Sequence, residues 1–443
     1  MSFFRALFFA PRLYFALSAC VVFFVFGHVY PVLAFIAKMC LLTLAVFALL
    51  DFLMLFRLPD GVFARREMAG RFSNGDENPV TLYFENRHAF PVNLAIIDEL
   101  PFQFQIRDAD FRTSIPAGGQ KTLRYHIRPV KRGEYHFGAL NVYVAGPIGL
   151  VKKQYKFEAE RAVAVYPSYL QMRKYTLLAV SNRLTEAGIK KIRRVGHSME
   201  FDQIREYVPG DDYRTINWKA TARRSELMVT QFQDEKSQQV YNVIDMGRTM
   251  KMPFAGMTLL DYAINSALVI SNIAIRKEDK AGLLTFSDKM SAMVPAERKK
   301  TQMLKILEAL YRQESQFPEP DFELLFATLS RKVTQRSLVL LYTNFESLSG
   351  MRRRLYYLRR LAHRHLVVAI FFENTELHSR LERRSDSIEE IYVKTIAEKF
   401  AFEKKQIVKE LNQHGVHAIL TPPNALSVIT LNKYLEFKAL GLI

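Results

Sequence analysis

Cysteine and tryptophan are scarce in this chain of 443 residues. The two cysteines, Cys20 and Cys40, both lie in the apolar N-terminal region. Neither a disulfide framework nor a thiol-based metal site can be built from them, so a reducing compartment is the simplest interpretation. Tryptophan occurs once, as Trp218.

Sequence motifs of common enzymes are also missing. The chain contains no G-x-S-x-G, no H-E-x-x-H and no G-x-x-x-x-G-K-[ST]. The ten histidines are scattered, and the pair closest in sequence, His363 and His365, is expected at the surface of a helix–strand junction. We therefore expect no catalytic residue and a non-enzymatic protein, with an unrecognised enzyme as the weakest alternative.

Acidic residues are fewer than basic ones, 44 against 62, which gives a formal net charge of +18. Such a surplus indicates an anionic neighbour, either lipid headgroups or nucleic acid. Six arginines, at 352–354, 359, 360 and 364, fall on one predicted helix, whose basic side we expect to be a solvated face. Proximity to an anionic leaflet explains the charge more simply than nucleic acid does, so no nucleic-acid partner is expected. Binding to nucleic acid or anionic lipid remains the alternative function.

Two apolar runs near the N-terminus, residues 13–30 and 32–56, are each close to the roughly 20 residues that span a bilayer. A short break with Gly27 and Pro31 separates them, and Lys38 and Asp51 lie inside the second run. Arginines precede and follow the pair, so the positive-inside rule places both ends in the cytoplasm. The sequence thus predicts an inner-membrane protein with two spans. A lipoprotein cleavage box ending at Cys20 is the disfavoured alternative, because the apolar run continues beyond it.

From about residue 80 to 163 the hydrophobic pattern has a period of two. In residues 121–127, Leu123, Tyr125 and Ile127 share one face, and polar residues occupy the other. Similar short runs follow at regular spacing, separated by Asn, Gly and Pro turns. This pattern predicts a small antiparallel, β-sandwich-like domain.

From about Gln239 onward, strand-like and helix-like runs alternate. Strands are expected at 240–244, 281–286, 337–342, 366–372 and 416–421, and helices at 259–275, 303–311, 322–329, 352–363, 387–412 and near 425. The alternation predicts an α/β doubly wound sheet. The fold class is therefore multidomain and membrane-anchored: a transmembrane hairpin (1–58), a β-rich domain (59–170), a linking signature segment (171–235) and an α/β domain (236–443).

The linking segment contains the stretch EFDQIREYVPGDDYRTINWKATARRSELMV, residues 200–229. Pro209-Gly210 indicates a turn, after which Asp211 or Asp212 is expected to cap a short helix over residues 213–223. Arginines and acids alternate closely along the stretch. A mutually paired charge cluster is the expectation from the residues alone.

This stretch resembles the signature of the bacterial family called domain of unknown function 58. The matching positions are Glu200-Phe201, Arg205-Glu206-Tyr207, Gly210-Asp211-Asp212, Arg214 and Asn217-Trp218-Lys219. The rest of the chain is also similar to the family's architecture, in which the α/β domain is von Willebrand factor A-like. The resemblance implies a membrane-anchored adaptor whose partner is an AAA+ ATPase of the MoxR type, with other A-domain proteins as further partners.

Two roles for the signature are open. In the architectural role, Trp218, Tyr207 and Tyr213 pack against the sheet while the charges pair with one another. In the docking role, the same residues contact a partner, because Trp, Tyr and Arg dominate the binding energy of many interfaces.

The resemblance also implies a divalent-cation site at the top of the sheet, built from hard oxygen ligands. Here the first loop keeps Asp245 and Thr249, but Gly247 replaces a ligand. Pro320 stands where a threonine would be expected, and Asn344 stands where an aspartate would. We expect a degenerate Mg²⁺ site at Asp245, Thr249 and Asn344, no bound cofactor, and Asp245 capping the next helix or pairing with Arg248.

Overall fold

The computed structural model describes residues 6–106, 110–157, 160–180, 199–234, 237–299, 301–374 and 388–442. The chain divides into two compact units, Met1–Tyr166 and Pro167–Ile443. Both units contain helices and sheets, so the protein is a mixed, multidomain one.

The first unit begins with two apolar helices, α1 (Pro11–Gly27) and α2 (Pro31–Phe56). Each begins at a proline, whose missing N–H costs nothing in the first helical turn. Within the described residues, α2 is the helix long and apolar enough to cross a membrane, and α1 is apolar but shorter.

The strands of the first unit follow the predicted alternation. They are β1 (Leu7–Phe9), β2 (Val62–Met68), β3 (Arg71–Ser73), β4 (Asn78–Asn86), β5 (Val92–Asp98), β6 (Asp110–Ile115), β7 (Gln120–Ile127), β8 (Gly133–Phe137), β9 (Leu140–Ala145), β10 (Val151–Phe157) and β11 (Arg161–Tyr166). They form sheets in the orders β1-β10-β9-β5-β6, β2-β4-β7 and β3-β11-β8. The pairing is antiparallel apart from β3 with β11. Alternate side chains of all three sheets meet in one hydrophobic core.

Asp51 connects α2 to this β-structure. Its side chain is fully buried, and one carboxylate oxygen accepts hydrogen bonds from the backbone N–H groups of Leu150 and Val151, at 2.8 and 2.9 Å. The acid inside the second apolar run therefore faces protein backbone, whereas Lys38 is exposed. Since a buried carboxylate needs such donors, the last turns of α2 are fixed against the start of β10.

The second unit contains the remaining elements. The helices are α3 (Tyr169–Val180), α4 (Trp218–Arg224), α5 (Leu259–Arg276), α6 (Gln302–Tyr311), α7 (Phe322–Lys332), α8 (Leu348–Ala362), α9 (Ile388–Gln413) and α10 (Leu426–Ala439). The strands are β12 (Met199–Glu206), β13 (Met228–Asp234), β14 (Gln239–Asp245), β15 (Pro253–Phe254), β16 (Met257–Thr258), β17 (Lys280–Phe286), β18 (Met290–Glu297), β19 (Leu338–Tyr342), β20 (Leu366–Phe372) and β21 (His417–Thr421).

A six-stranded sheet with the order β18-β17-β14-β19-β20-β21 organises this unit. Neighbours run parallel, apart from the edge strand β18, which is antiparallel to β17. Helices α5, α6 and α10 cover one face, and α7, α8 and α9 cover the other. When the six strands are numbered along the chain, their order across the sheet is 3-2-1-4-5-6. The direction of winding therefore reverses between β14 and β19. Ligand sites of open α/β sheets lie beyond the carboxyl ends of the strands at such a reversal.

Candidate functional site

The signature forms a two-stranded ribbon with a loop at its end. Strands β12 and β13 pair antiparallel, and we call residues 207–227 between them the signature loop. The backbone N–H of Tyr207 donates to the carbonyl of Leu227, and that of Asn217 to the carbonyl of Met228, both at 2.8 Å. These bonds continue the ribbon into the loop and hold its two arms together.

One ion pair braces the first half of the loop. The Arg205 guanidinium donates to both carboxylate oxygens of Asp211, at 2.6 and 2.8 Å, and the N–H of Val208 donates to the same carboxylate at 2.9 Å. The hydrogen bonds from Arg205 and Val208 lower the pKa of Asp211. Gly210, which lies between Val208 and Asp211, has φ +111°, a conformation that glycine adopts without the steric cost of a Cβ. The Pro-Gly turn is thus confirmed.

Two side-chain caps organise the second half of the loop. Asp212 accepts from the N–H of Arg214 at 3.0 Å and starts a 3₁₀ turn, Tyr213–Thr215. Asn217 accepts from the N–H of Ala220 at 3.0 Å and caps α4. The single helix predicted over residues 213–223 is therefore wrong. Separate caps begin separate turns, and Ile216 between them is extended and bridges to Val229.

Among the side chains that the structure describes, the charges of the loop are less paired than the sequence suggested. Arg205 pairs with Asp211, whereas Glu206, Arg214 and Lys219 are exposed. Glu200 and Phe201 lie in β12, but their side chains are outside what the structure describes. Within the described residues, the bidentate pair of Arg205 with Asp211 and the two caps hold the loop.

Two of the three aromatic residues of the loop, Tyr213 and Trp218, point into solvent. Trp218 and Tyr213 are each 69% exposed, and the apolar side chains of Val208 and Leu227 are exposed beside them in sequence. We call Tyr213 and Trp218 the aromatic tip. Tyr207 is partly buried. The expectation that Trp218 and Tyr213 pack against the sheet is wrong, because local hydrogen bonds hold the loop without them.

The predicted cation site falls where the winding of the sheet reverses. Asp245 ends β14, and its fully buried carboxylate accepts from the N–H of Gly247 at 2.7 Å and from the hydroxyl of Thr343 at 2.6 Å. Burial raises the pKa of Asp245 to about 6, against the opposing effect of the Thr343 hydrogen bond. Both expected roles of Asp245 are wrong. The next turn, Arg248–Lys251, has no side-chain cap, and Arg248 lies 3.7 Å from Glu346 instead of Asp245. The Asp245 carboxylate at the end of β14 is thus hydrogen-bonded to Thr343, which follows the neighbouring strand β19.

The geometry around Asp245 does not fit a divalent cation. A Cβ at Gly247 would lie 2.6 Å from the Pro320 ring, so the proline fills the place of a ligand side chain. The Asn344 amide donates to the Thr249 carbonyl at 3.3 Å, and its oxygen accepts from the Lys404 ammonium at 2.8 Å. In the part of the chain that the structure describes, no group of three or more His, Cys, Asp or Glu side chains could hold a metal ion.

Lys404 is the residue of this edge that the sequence interpretation missed. It lies on α9, and its ammonium also donates to the carbonyl of Phe345 and sits 5.6 Å from the centre of the Phe371 ring. Burial lowers the pKa of Lys404 to about 8. Part of a signal was present, because Lys404 shares one side of α9 with Ala397, Ile407 and Leu411, which are fully buried and lie ten and four residues apart.

Among the described residues, two arginines of the basic helix form ion pairs within the protein. Arg352 pairs with Glu410 at 2.9 Å, Arg354 pairs with Glu319 at 2.6 Å, and Arg360 lies 4.5 Å from the centre of the Phe326 ring. These contacts agree with a structural role for this side of α8.

The predicted surface position of His365 is wrong. His363 is exposed, but His365 is only 3% exposed. Burial lowers the pKa of His365. The residue precedes β20 directly, and it is carried into the interior with that strand.

Residues 203–377 match the family described as Protein of unknown function DUF58. The chain is 29% identical over 185 residues to the uncharacterized protein YeaD of Bacillus subtilis, which covers 39% of this chain and 44% of YeaD. It is 26% identical over 178 residues to the uncharacterized protein Rv1480 of Mycobacterium tuberculosis, which covers 40% of this chain and 55% of Rv1480. The chain spans about half the length of the curated relatives it matches. The family resemblance is confirmed over residues 203–377.

Solved structures show weaker likeness. A conserved hypothetical protein, BatB from Bacteroides thetaiotaomicron, aligns with 46% of this chain and 98% of its own, at 11% identity and a TM-score of 0.31. The ASH/PapD-like domain of human CEP192 aligns with 24% of this chain and 87% of its own, at 13% identity and a TM-score of 0.19. Scores this low carry no argument about the fold.

Proposed function

We propose that this chain is a membrane-anchored, non-enzymatic docking protein whose aromatic tip binds a partner protein. The partner that the family resemblance implies is an AAA+ ATPase of the MoxR type. The observation that carries the proposal is the 69% exposure of Trp218, the only tryptophan, on a loop held in shape by other residues.

The geometry of the loop supports docking in two ways. Large aromatic side chains with a polar edge contribute strongly to interfaces once a partner covers them. The Arg205–Asp211 pair and the Asn217 cap hold the loop in one conformation. A preordered loop loses less conformational entropy on binding, which favours affinity.

The remaining parts of the proposal concern location and domain type. Helices α1 and α2 form a two-span hairpin in the inner membrane, and both termini lie on the cytoplasmic side, where an ATPase operates. The sheet of the second unit is a von Willebrand factor A-like domain that works without a metal, because Lys404 supplies a fixed cation at Asn344. Other A-domain proteins are further partners of the same module.

Co-purification tests this proposal. The full chain, extracted from membranes with ATP and a hydrolysis-blocked AAA+ ATPase, is expected to retain the ATPase. Trp218→Ala is expected to lose it while melting at the same temperature as the original protein. Phe102→Ala is the control, because Phe102 is an 85% exposed aromatic residue outside the signature loop. Unchanged retention by Trp218→Ala would contradict docking through the tip, and a large fall in melting temperature would restore the architectural role.

A further inference from the structure

A cavity of about 440 Å³ lies at the carboxyl end of the sheet in the second unit. Its lining includes Asn344, Phe372 and Leu420, which stand at or just beyond the ends of β19, β20 and β21. The volume is within the range of roughly 300–1,000 Å³ that small-molecule sites occupy. The position is also the one at which open α/β sheets bind ligands.

The walls of the cavity are mostly apolar. Met252, Phe254 and Leu259 line it from the segment that leads into α5, and Phe400 and Ala401 line it from α9. Burying an apolar chain here gains about 25 cal/mol per Å² of surface removed from water. The cavity therefore suits a ligand with an apolar body.

Lys404 places a positive charge in the wall. An ammonium group has three N–H donors, and two of them bind the neutral oxygens of Asn344 and Phe345. No carboxylate of the described residues lies within 4.0 Å of this ammonium. Lys404 is part-buried, and Glu346 attracts its charge without an ion pair within 4.0 Å. An anion that hydrogen-bonds to the ammonium would therefore stabilise this charge further. The third donor remains for such an anion.

Two acids also line the cavity. Glu346 lies 3.7 Å from the Arg248 guanidinium, which offsets part of its charge. Glu373 remains on the wall without a basic partner within 4.0 Å among the described residues. Lys405 also lines the cavity, so the wall carries two lysines and two acids. Lys404 has one donor left for an anion, and a ligand with a single carboxylate matches that donor.

We propose that this cavity binds a hydrophobic carboxylate, an apolar body that ends in one carboxylate group, and that Lys404 binds the carboxylate. The inference goes beyond the docking function, because none of the cavity residues belongs to the signature loop. Lys404 also lies outside residues 203–377, the part that matches the family.

Photolabelling of the full chain in phosphatidylcholine nanodiscs tests the proposal. A decanoate that carries a diazirine on its chain is expected to label peptides containing Phe254 or Phe400, as mapped by mass spectrometry. Excess decanoate is expected to compete, and decanol is expected to compete about tenfold less well, because it lacks the charge-assisted hydrogen bond to Lys404.

Substitutions test which charged residues of the cavity wall bind or repel the carboxylate. Lys404→Met is expected to reduce labelling of the cavity about tenfold. Lys409→Met, an exposed lysine on the same helix, is expected to leave it unchanged. Glu373→Gln is expected to increase labelling, because it removes the repelling charge. Equal competition by decanol, or equal labelling of Lys404→Met, would overturn the proposal.

A second variant covers the case in which Lys404→Met fails to fold. Ala401→Phe fills the cavity from α9 and retains the lysine. We expect it to lose labelling while melting like the original protein, and unchanged labelling of folded Ala401→Phe would also overturn the proposal. Neither result depends on an ATPase, so the docking function can fail without affecting this test.

Discussion

The signature loop and the carboxyl edge of the sheet hold similar residue types in opposite environments. In the loop, Asp211 and Asn217 bond to neighbours in sequence, and the apolar aromatic tip remains in solvent. At the edge, Asp245, Asn344 and Lys404 bond between elements far apart in sequence. Asp245 and Asn344 are buried, and Lys404 is half-buried. The comparison shows why polar residues alone do not mark a site. The feature that marks the loop as a docking surface is its aromatic tip, which the hydrogen bonds of the loop leave exposed to solvent.

The largest expected effect lies at the edge. Phe345 is 1% exposed, and its ring packs against that of Phe371 at 5.7 Å between centroids. Phe345→Ala is expected to reduce the free energy of unfolding by about 3–5 kcal/mol, because it leaves a cavity in the core. Denaturant unfolding measures the change. Phe402→Ala is the control, because it removes a 61% exposed ring from α9 and should change the free energy of unfolding little. Equal losses of unfolding free energy in Phe345→Ala and Phe402→Ala would contradict the contrast between buried and exposed positions.

The second effect depends on pH. Thr343→Val removes a donor from Asp245 and is expected to cost about 1–3 kcal/mol. The pKa of Asp245 is raised to about 6 in the folded protein, from 3.8. The protonated Asp245 carboxyl therefore contributes its whole stabilisation of the fold below pH 3.8. This contribution to the free energy of unfolding is lost as the pH rises through about 6. Since Thr343 favours the ionised form, its loss should cost more at pH 8 than at pH 5.

The control for this pH dependence is another buried threonine. Thr285 donates to the neutral amide oxygen of Gln313 at 2.8 Å. Thr285→Val should therefore lower the free energy of unfolding equally at both pH values. A pH-independent loss in Thr343→Val would show that Asp245 does not titrate as described.

A smaller effect is expected within the loop. Asn217→Ala removes the cap of α4 and the hydrogen bond to the Thr230 hydroxyl, which is 3.2 Å long. The expected cost is about 1 kcal/mol. Asn217→Asp keeps the capping oxygen and should recover most of it. Denaturant unfolding measures both variants. If Asn217→Ala and Asn217→Asp have the same free energy of unfolding, the cap does not hold the loop.

The smallest effect is the one that defines the aromatic tip. Trp218→Ala is expected to change the free energy of unfolding by less than about 0.5 kcal/mol, because the side chain is 69% exposed. Differential scanning calorimetry measures this directly. A loss comparable to that of Phe345→Ala would mean that Trp218 is packed, and the two regions would no longer differ.

The sequence predicted the parts of the fold whose pattern is periodic. The alternation in residues 121–127 became β7, and the apolar runs after Gln239 became the central strands. The edge strand β18 was not predicted, because it has no fully buried side chain and contains Pro295. Helix α3 was also missed, and its sequence has only a weak amphipathic pattern.

The site was predicted less well than the fold. The turn at Gly210 and the importance of Asp245 follow from local chemistry, which a sequence displays. Lys404 could not be assigned, because its partner Asn344 is sixty positions away and only the folded sheet brings them together. The exposure of Trp218 likewise depends on packing that the sequence does not show.

The fluorescence of the single tryptophan tests the central claim most directly, since in the isolated protein the tryptophan signal comes from Trp218 alone. For the isolated full chain we predict red-shifted emission that iodide quenches strongly, and a blue shift with protection when the partner ATPase binds. Emission that is already blue-shifted and protected from iodide in the isolated protein would contradict the account.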